Sequence, residues 1–493
     1  MRHSPIPHIL IAFAGLGLLP AGAEAQTLDE IVNVYALRAP QVRKLRMAYQ
    51  NAILEYENYR KSFLPSIGIQ LSPVSFNRSL RLLQNPVDGN YNYVKNYSYT
   101  GSSGISISQK IGPTGGSIQL GSDLSYLREF SDKRNSFSTS PLYISYSQPL
   151  FGEYRKYKLT REIQQVNRRL ALRQFCQGIS GFQQEVATLY LNVCAASLRL
   201  EQATQNIATG DTLLRMAKLR KDNGYITQFD YNKIDLQQVQ TKQERNQAEN
   251  DLHNSMSSLL MKLDSRDDIL VVAPEAESLP ELVEEAVVRE KVRDNNPQLI
   301  SIELQRKQAE YNHYTSRLSS KFNGNISLSY GLNQYADNFT DAYKRPDERQ
   351  SISITLSIPI FQWGIARNNR IIADNTLETA EIESTASVRE FEESVGRQTF
   401  NYNISRNDCI LSNRNLELSK EQYRLAVMKF GSGNISVYEL TQAFTDQQRA
   451  LAGYFASVKQ VFTQYFSLRH LALYDFATHS DLADVFVASQ EMA

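Results

Sequence analysis

The sequence predicts a mainly helical chain with amphipathic β-strands, built as two halves. Each half runs helix, strands, long helix, tight tip, long helix. Three observations predict it: two long seams of apolar residues with a period of 3.5, several short segments of strict apolar–polar alternation, and a set of junction motifs that occur twice in the same order.

The chain opens with Arg2, an apolar or small run from Ile9 to Leu19, and Ala23-Glu24-Ala25. This is the pattern of a secretory signal peptide, with cleavage expected after Ala25. The run is far shorter than the ~20 apolar residues that a spanning helix needs. Residue 26 is Gln rather than Cys, so no lipid-modified mature N-terminus is expected. An exported chain that crosses no bilayer as a helix can still be a periplasmic binder, an adhesin or an outer-membrane protein.

Lys+Arg and Asp+Glu number 53 and 52, a formal charge of +1, which argues against nucleic acid as a partner. The three cysteines, Cys176, Cys194 and Cys409, form no CxxC pair and leave an odd count, so they read as packing residues. On one continuous helix Cys176 and Cys194 would stand ~27 Å apart, too far to bridge. The six His are scattered and no HExxH, GxSxG or phosphate loop occurs. No enzyme, cofactor or metal site is expected.

The first long helix is expected from about Gly152 to Asn223. Its seam is Phe175, Ile179, Phe182, Val186, Leu189, Val193, Ala196, Leu200, Ala203 and Ile207, with steps alternating 4 and 3. About 70 helical residues reach ~105 Å. A second such stretch follows Trp363, and its seam returns as Leu440, Phe444, Gln447, Leu451, Tyr454, Val458, Val461, Tyr465 and Leu468.

Strand patterns occur at Ile67–Ile69–Leu71, Ile105–Ile107–Ile111, Ile118–Leu120 with Leu124 and Tyr126, Leu142–Ile144–Tyr146, Ile326 to Leu332, and Ile352 to Ile360. They place apolar groups on one face and small hydroxyls on the other. A half-buried soluble sheet shows this pattern, and so does a lipid-facing barrel; the alternation by itself favours the first. The segments Asn85 to Asn90, Ser131 to Pro141 and Ala336 to Gln350 read as loops, and Asp264 to Pro280 as the connector between halves.

The halves share three junctions. Ala39-Pro40-Gln41-Val42 and Asn296-Pro297-Gln298-Leu299 each open a helix. Gln148-Pro149-Leu150-Phe151 and Ile358-Pro359-Ile360-Phe361 each end a strand before a long helix. Asn223-Gly224-Tyr225-Ile226-Thr227-Gln228-Phe229-Asp230 and Ser432-Gly433-Asn434-Ile435-Ser436-Val437-Tyr438-Glu439 each interrupt a seam with Gly and supply an N-cap, Thr227 or Ser436. Gly224 and Gly433 are expected to be left-handed.

With these residues in their duplicated order, the chain resembles the TolC-type outer membrane factors over nearly its whole mature length. The resemblance implies a homotrimer with a shared outer-membrane β-barrel, continued by a periplasmic α-barrel. Such a duct serves efflux or type I secretion. Its partners would be a periplasmic adaptor (membrane fusion) protein, an inner-membrane RND or ABC transporter, and outer-membrane lipid. A surface coiled-coil or adhesin protein is the alternative class.

By the same resemblance, Glu439, its counterpart Asp230, and Gln442 line the pore entrance. Gln442 stands where some members are acidic, which weakens a negative ring. For Glu439 and Asp230 a plain helix-start charge explains the location as well. Phe430 replaces a Tyr that holds the entrance shut in some members, so that lock is absent or made differently. Leu219, Tyr225, Ile226, Ile435 and Val437 would meet the adaptor, or serve as intramolecular staples. Pro149, Phe151, Pro359 and Phe361 mark the strand–helix junctions.

The domain scheme is residues 1–25 signal peptide, 26–270 first repeat with its tip at 219–230, 281–475 second repeat with its tip at 429–439, and 476–493 tail. About 70 residues separate Ser72 from Leu142, so four strands are expected in the first half and two in the second, six per subunit and 18 per trimer. An even count returns the chain to the side where the helix begins. The other reading of Ile105 to Leu127 is a hairpin standing above the membrane as a cap.

Overall fold

The computed structural model describes residues 26–84, 89, 91–130, 133–265, 269–274, 279–319, 323–358 and 360–491. The signal-peptide segment and Pro359 lie outside the described residues. No helix among those described is long and apolar enough to cross a membrane. The chain forms two compact units, and neither follows the sequence repeats. One takes Ala48–Leu172 and Pro297–Phe391; the other takes the N-terminal part up to Met47, Arg173–Asn296 and the part from Glu392 on.

In the sheet-bearing unit, α1 (Pro40–Lys61) leads to β1 (Ser66–Gln84), β2 (Tyr91–Ile111), β3 (Gly116–Glu129) and β4 (Arg134–Pro149). The long helix α2 (Glu153–Asp222) then starts. Its tip is followed by α3 (Gln228–Leu263), and the second half brings α4 (Glu285–Asn295), α5 (Pro297–Ser319), β5 (Asn323–Ala336), β6 (Asp347–Ser357) and α6 (Ile365–Gly431). Four strands from the first half and two from the second make one six-stranded meander in the order β1 to β6, antiparallel throughout. The Ile105 to Leu127 hairpin is part of this sheet and not a separate cap.

Several strands are longer than their alternation indicates. β1 runs through Pro73, where a bulge between Ser72 and Ser75 resets the alternation. As the first strand, β1 has a free edge that tolerates a proline. The N-terminal part of β2 reads as polar because Tyr and Asn dominate it. Ser131 to Pro141 is not all loop: β4 begins at Arg134, and Pro141 sits inside a register shift between Thr139 and Tyr143, where no ladder hydrogen bond is asked of it. Likewise β6 begins at Asp347, inside the expected Ala336–Gln350 loop, which also holds a 3-10 turn at Asp341–Tyr343.

Beside the sheet, the turn at residues 112–115 meets α1 and α2. Phe63 stacks edge-on with Tyr59 and Tyr157, at 5.4 and 5.6 Å, and a side chain at Gly112 would collide with Tyr157. Farther along, Val166 and Leu170 of α2 pack on Ile300 of α5. Lys307 pairs with Glu162 at 2.8 Å.

The helical unit is held by the seams. Phe175, Ile179, Phe182, Val186 and Val193 of α2 are buried, as are Leu440, Leu451, Val458, Val461, Tyr465 and Leu468 of α7 (Val437–Ala472). Between the seam residues lies a buried polar layer. The Tyr190 hydroxyl lies 2.8 Å from the Gln26 carbonyl and 2.7 Å from that of Val272, and accepts the Val272 N–H, so it ties the chain start to the connector. Tyr402 does the same for the connector's far end, 3.0 and 2.8 Å from the Pro280 and Glu281 carbonyls.

Arg469, 3% exposed, forms an ion pair with Asp475 (Nε–Oδ2 3.0 Å, without hydrogen-bond alignment) and donates to Gln183. Asp475 also accepts from the Tyr465 hydroxyl and from the Ala477 and Thr478 amides. Gln183 in turn donates to the Val32 carbonyl. Burial, then the neighbouring Asp475, raises the carboxyl pKa of Asp29 in this cluster. The C-terminal stretch is ordered by the hairpin of β7 (Tyr474–Asp475) and β8 (Ser480–Asp481) and by α8 (Leu482–Glu491), whose Leu482 and Phe486 are buried.

Candidate functional site: a two-faced sheet and paired helix tips

The register turns the alternation of each strand into rows across the sheet. Ser66, Ser108, Gln119, Ser145, Ser329 and Ser351 stand opposite one another in sequence, a fully polar row over all six strands. One residue along each strand, on the opposite face, Ile67, Ile107, Leu120, Ile144 and Tyr330 form an apolar row. A second apolar row is Ile118, Tyr146, Leu328 and Ile352. Apart from the half-buried Tyr146 these apolar side chains are exposed; Ile67 is 71% and Ile352 77% accessible.

At the end of the sheet away from the helices, the apolar face finishes in a chain of rings. Phe76 meets Tyr97, and both contact Phe130; Tyr99 meets Tyr126, which meets Phe137, then Phe339 and Tyr343, with centroids 4.6–6.2 Å apart. At the opposite end Phe361 and Trp363 are exposed and stacked at 4.7 Å, with Phe151 of the first junction 39% exposed. An apolar band between two aromatic girdles, backed by a hydroxyl-lined face, is the pattern that a barrel wall needs in order to face lipid. The edges, β1 and β6, are unpaired in the single chain, and every residue of β6 is exposed.

The tips share one backbone solution. At the first, Gly224 has φ +79°, its N–H bonds the Lys221 carbonyl, and the Tyr225 N–H reaches back to Arg220. At the second, Gly433 has φ +83°, with the matching bonds to Phe430 and from Asn434 to Lys429. A Cβ would strain either turn. Thr227 and Ser436 then cap the next helices with the same geometry, φ −78° and ψ 162° or 161°. Both are full capping boxes. The Asp230 carboxylate accepts the Thr227 amide, and that of Glu439 accepts the Ser436 amide at 2.8 Å and its hydroxyl at 2.9 Å. The Ser436 amide holds the Glu439 pKa below the ordinary carboxylate value. Gln442 is exposed and donates to Asp446.

The two tips close on a common core of Leu213, Ala217, Ile234, Tyr423, Phe430, Val437 and Leu440. Val437 is 4% exposed and belongs to this core, so it is a packing residue rather than part of an open docking face. Ile226 and Ile435 pack against the same core, each just before its N-cap, in the position of a hydrophobic staple. Leu219 and Tyr225 stay 65% and 75% exposed. Phe229 and Tyr438, at matching positions after the two caps, are equally open and were not legible as surface residues in the sequence. Phe430 is fully buried. Arg220 from the other tip stacks on its ring at 4.8 Å and donates to its carbonyl at 2.9 Å, which joins the hairpins without a phenolic hydroxyl.

Residues 288–472 match the outer membrane efflux protein family. No curated protein matches the chain in sequence. The fold is shared with solved outer-membrane proteins. The Campylobacter jejuni CmeC outer membrane channel is similar over 98% of each chain at 12% identity and a TM-score of 0.64. VceC of Vibrio cholerae is similar over 90% of this chain and 95% of its own, at 9% identity and 0.63. The open-state MtrE outer membrane channel of Neisseria gonorrhoeae is similar over 90% and 88%, at 13% identity and 0.59. The second half thus matches the outer membrane efflux protein family, and over nearly its whole length the chain shares the fold of these solved outer-membrane channels.

Proposed function

We propose that the chain is the passive exit duct of a tripartite efflux or type I secretion assembly. It works as a homotrimer whose six-stranded sheets close into one 18-stranded barrel, with the helices continuing as the periplasmic duct. The carrying observation is the pair of unpaired sheet edges flanking an exposed apolar face. Open edges are not tolerated in lipid, and antiparallel joining of β6 to the β1 of a neighbouring copy removes them. The energy for transport comes from an inner-membrane RND or ABC pump. A periplasmic adaptor meets the tips at Leu219 and Tyr225, with Phe229 and Tyr438 extending that face. In planar bilayers the purified protein is expected to give large, stable single-channel steps from trimers, and a photo-cross-linker at Tyr225 is expected to capture the adaptor. A monomer without conductance would instead support a surface coiled-coil protein.

We further propose that Glu439 and Asp230 face the pore entrance, where three copies bring like charges together and favour cations. Their capping bonds fix where each carboxylate points. Glu439→Gln keeps a side chain that can complete the capping box, so the helix start is expected to persist while cation selectivity falls. Unchanged selectivity and conductance would leave Glu439 as a helix cap only. Because its pKa is lowered on folding, the cap's ionic contribution is complete above the ordinary carboxylate range and is lost only as pH drops through the folded value. The tip is therefore expected to loosen in acid, seen as faster amide exchange at Ser436, and less so in Glu439→Gln.

A further inference from the structure

Among the ring of aromatics, on the same apolar face, stand two arginines. Arg78 lies opposite Tyr97 on β1 and β2, and Arg128 lies opposite Tyr99 on β3 and β2. Both side chains are exposed. Each guanidinium sits over a ring, Arg78 over Tyr97 and Arg128 over Phe130, both at 5.6 Å. Tyr97 and Phe130 themselves stack at 4.6 Å, so the two cations flank one aromatic cluster. Neither arginine forms an ion pair among the described residues. Arg134, by contrast, is neutralised by Asp337 at 3.1 Å. Glu129, next to Arg128 in sequence, points to the opposite face of the sheet, where it pairs with Ser98.

Two guanidiniums with no ion pair among the described residues, level with an aromatic girdle, lie at the depth of lipid headgroups. Planar donors suit phosphate oxygens, and a lipid whose acyl chains lie along the Ile105, Leu120 and Leu124 side would bring its phosphates to this level. We propose that Arg78 and Arg128 form a binding site for the phosphorylated headgroup of an outer-leaflet glycolipid of the lipid A class. The site rests on the barrel reading above and adds to it a specific lipid contact. It anchors the ribbon formed by the far ends of β1 and β2, which continues for seven residue pairs, Arg78↔Tyr97 to Gln84↔Tyr91, without a β3 partner.

The test is native mass spectrometry of the purified full-length trimer in detergent, titrated with bisphosphorylated lipid A. At roughly fivefold per arginine, the Arg78→Gln/Arg128→Gln variant is expected to bind it ~25-fold more weakly, while lipid A without phosphates binds the unmodified trimer no better than the variant does. Equal binding of phosphate-free lipid A, equal retention by the variant, or equal binding of phosphatidylglycerol would each overturn the proposal. So would full competition by inorganic pyrophosphate, which marks a free-phosphate site. Recovery of heat-resistant trimers of both proteins in the outer-membrane fraction is scored separately. Its failure in the unmodified protein refutes the barrel reading, not the lipid site alone.

Discussion

Leu120→Arg is expected to block assembly of the barrel, whereas Gln119→Arg, one residue away, is expected to leave assembly intact and change conductance. Leu120 belongs to the apolar row between Ile107 and Ile144, and Gln119 to the polar row between Ser108 and Ser145. An arginine facing mid-bilayer lipid costs ~2–4 kcal/mol, and a trimer carries that penalty in every copy. On the hydroxyl-lined face the same arginine stays in water. The readout is the yield of heat-resistant trimers after folding into lipid vesicles, with a urea titration for the energy. Lipid-soluble labelling of single cysteines at Ile107 and Leu120 gives the same answer without adding charge. Normal insertion of Leu120→Arg, or no labelling at either cysteine, would show that these strands do not face lipid.

The second large effect is expected in the helical unit. Arg469→Ala leaves the half-buried Asp475 without its cation, although the carboxylate keeps the Tyr465 hydroxyl and two backbone amides. Removing one member of a buried pair costs ~3–5 kcal/mol, much of it the unpaired charge left behind. The double change Arg469→Met with Asp475→Asn is therefore expected to recover most of that loss. Guanidinium unfolding of the detergent-solubilised protein, followed by helical circular dichroism, measures both. If the double variant is no more stable than Arg469→Ala, the network holds this region by hydrogen bonds and not by charge pairing. The same network reaches the N-terminal segment through Gln183 and Val32, so Arg469→Ala is also expected to expose that segment to protease.

How far the sequence carries depends on how local the cause is. The capping boxes were legible because a hydroxyl and a carboxylate three residues apart solve a problem within one turn of chain. The seams were legible because a 3.5 period repeats. The polar layer threaded between seam residues was not: Gln183, Tyr190 and Arg469 look like surface residues until the connector and the chain start are brought over them. Val437 fits an adaptor contact or an intramolecular staple equally well in sequence, for a similar reason. Which face of its helix turns inward is decided by Leu213, Phe430 and Tyr423 from distant parts of the chain. In the sheet, every strand announced itself by alternation somewhere along its length. Its ends did not, since bulges at Ser72/Ser75 and Thr139/Tyr143 reset the parity, and Tyr-rich stretches hide an amphipathic pattern that hydropathy scores as polar.

The meander also limits how such a wall can change over evolutionary time. In this chain β1 leaves one helix and β4 delivers the next, and the pair β5–β6 repeats the same excursion. A lineage cannot add or lose one strand without leaving the following helix at the opposite end of the sheet. Strands must be gained or lost as whole hairpins, and the two extra ones of the first half fit a single such insertion. Barrel girth in this architecture therefore changes in discrete steps, through tandem duplication or deletion of a hairpin, while point substitutions act only on the lining.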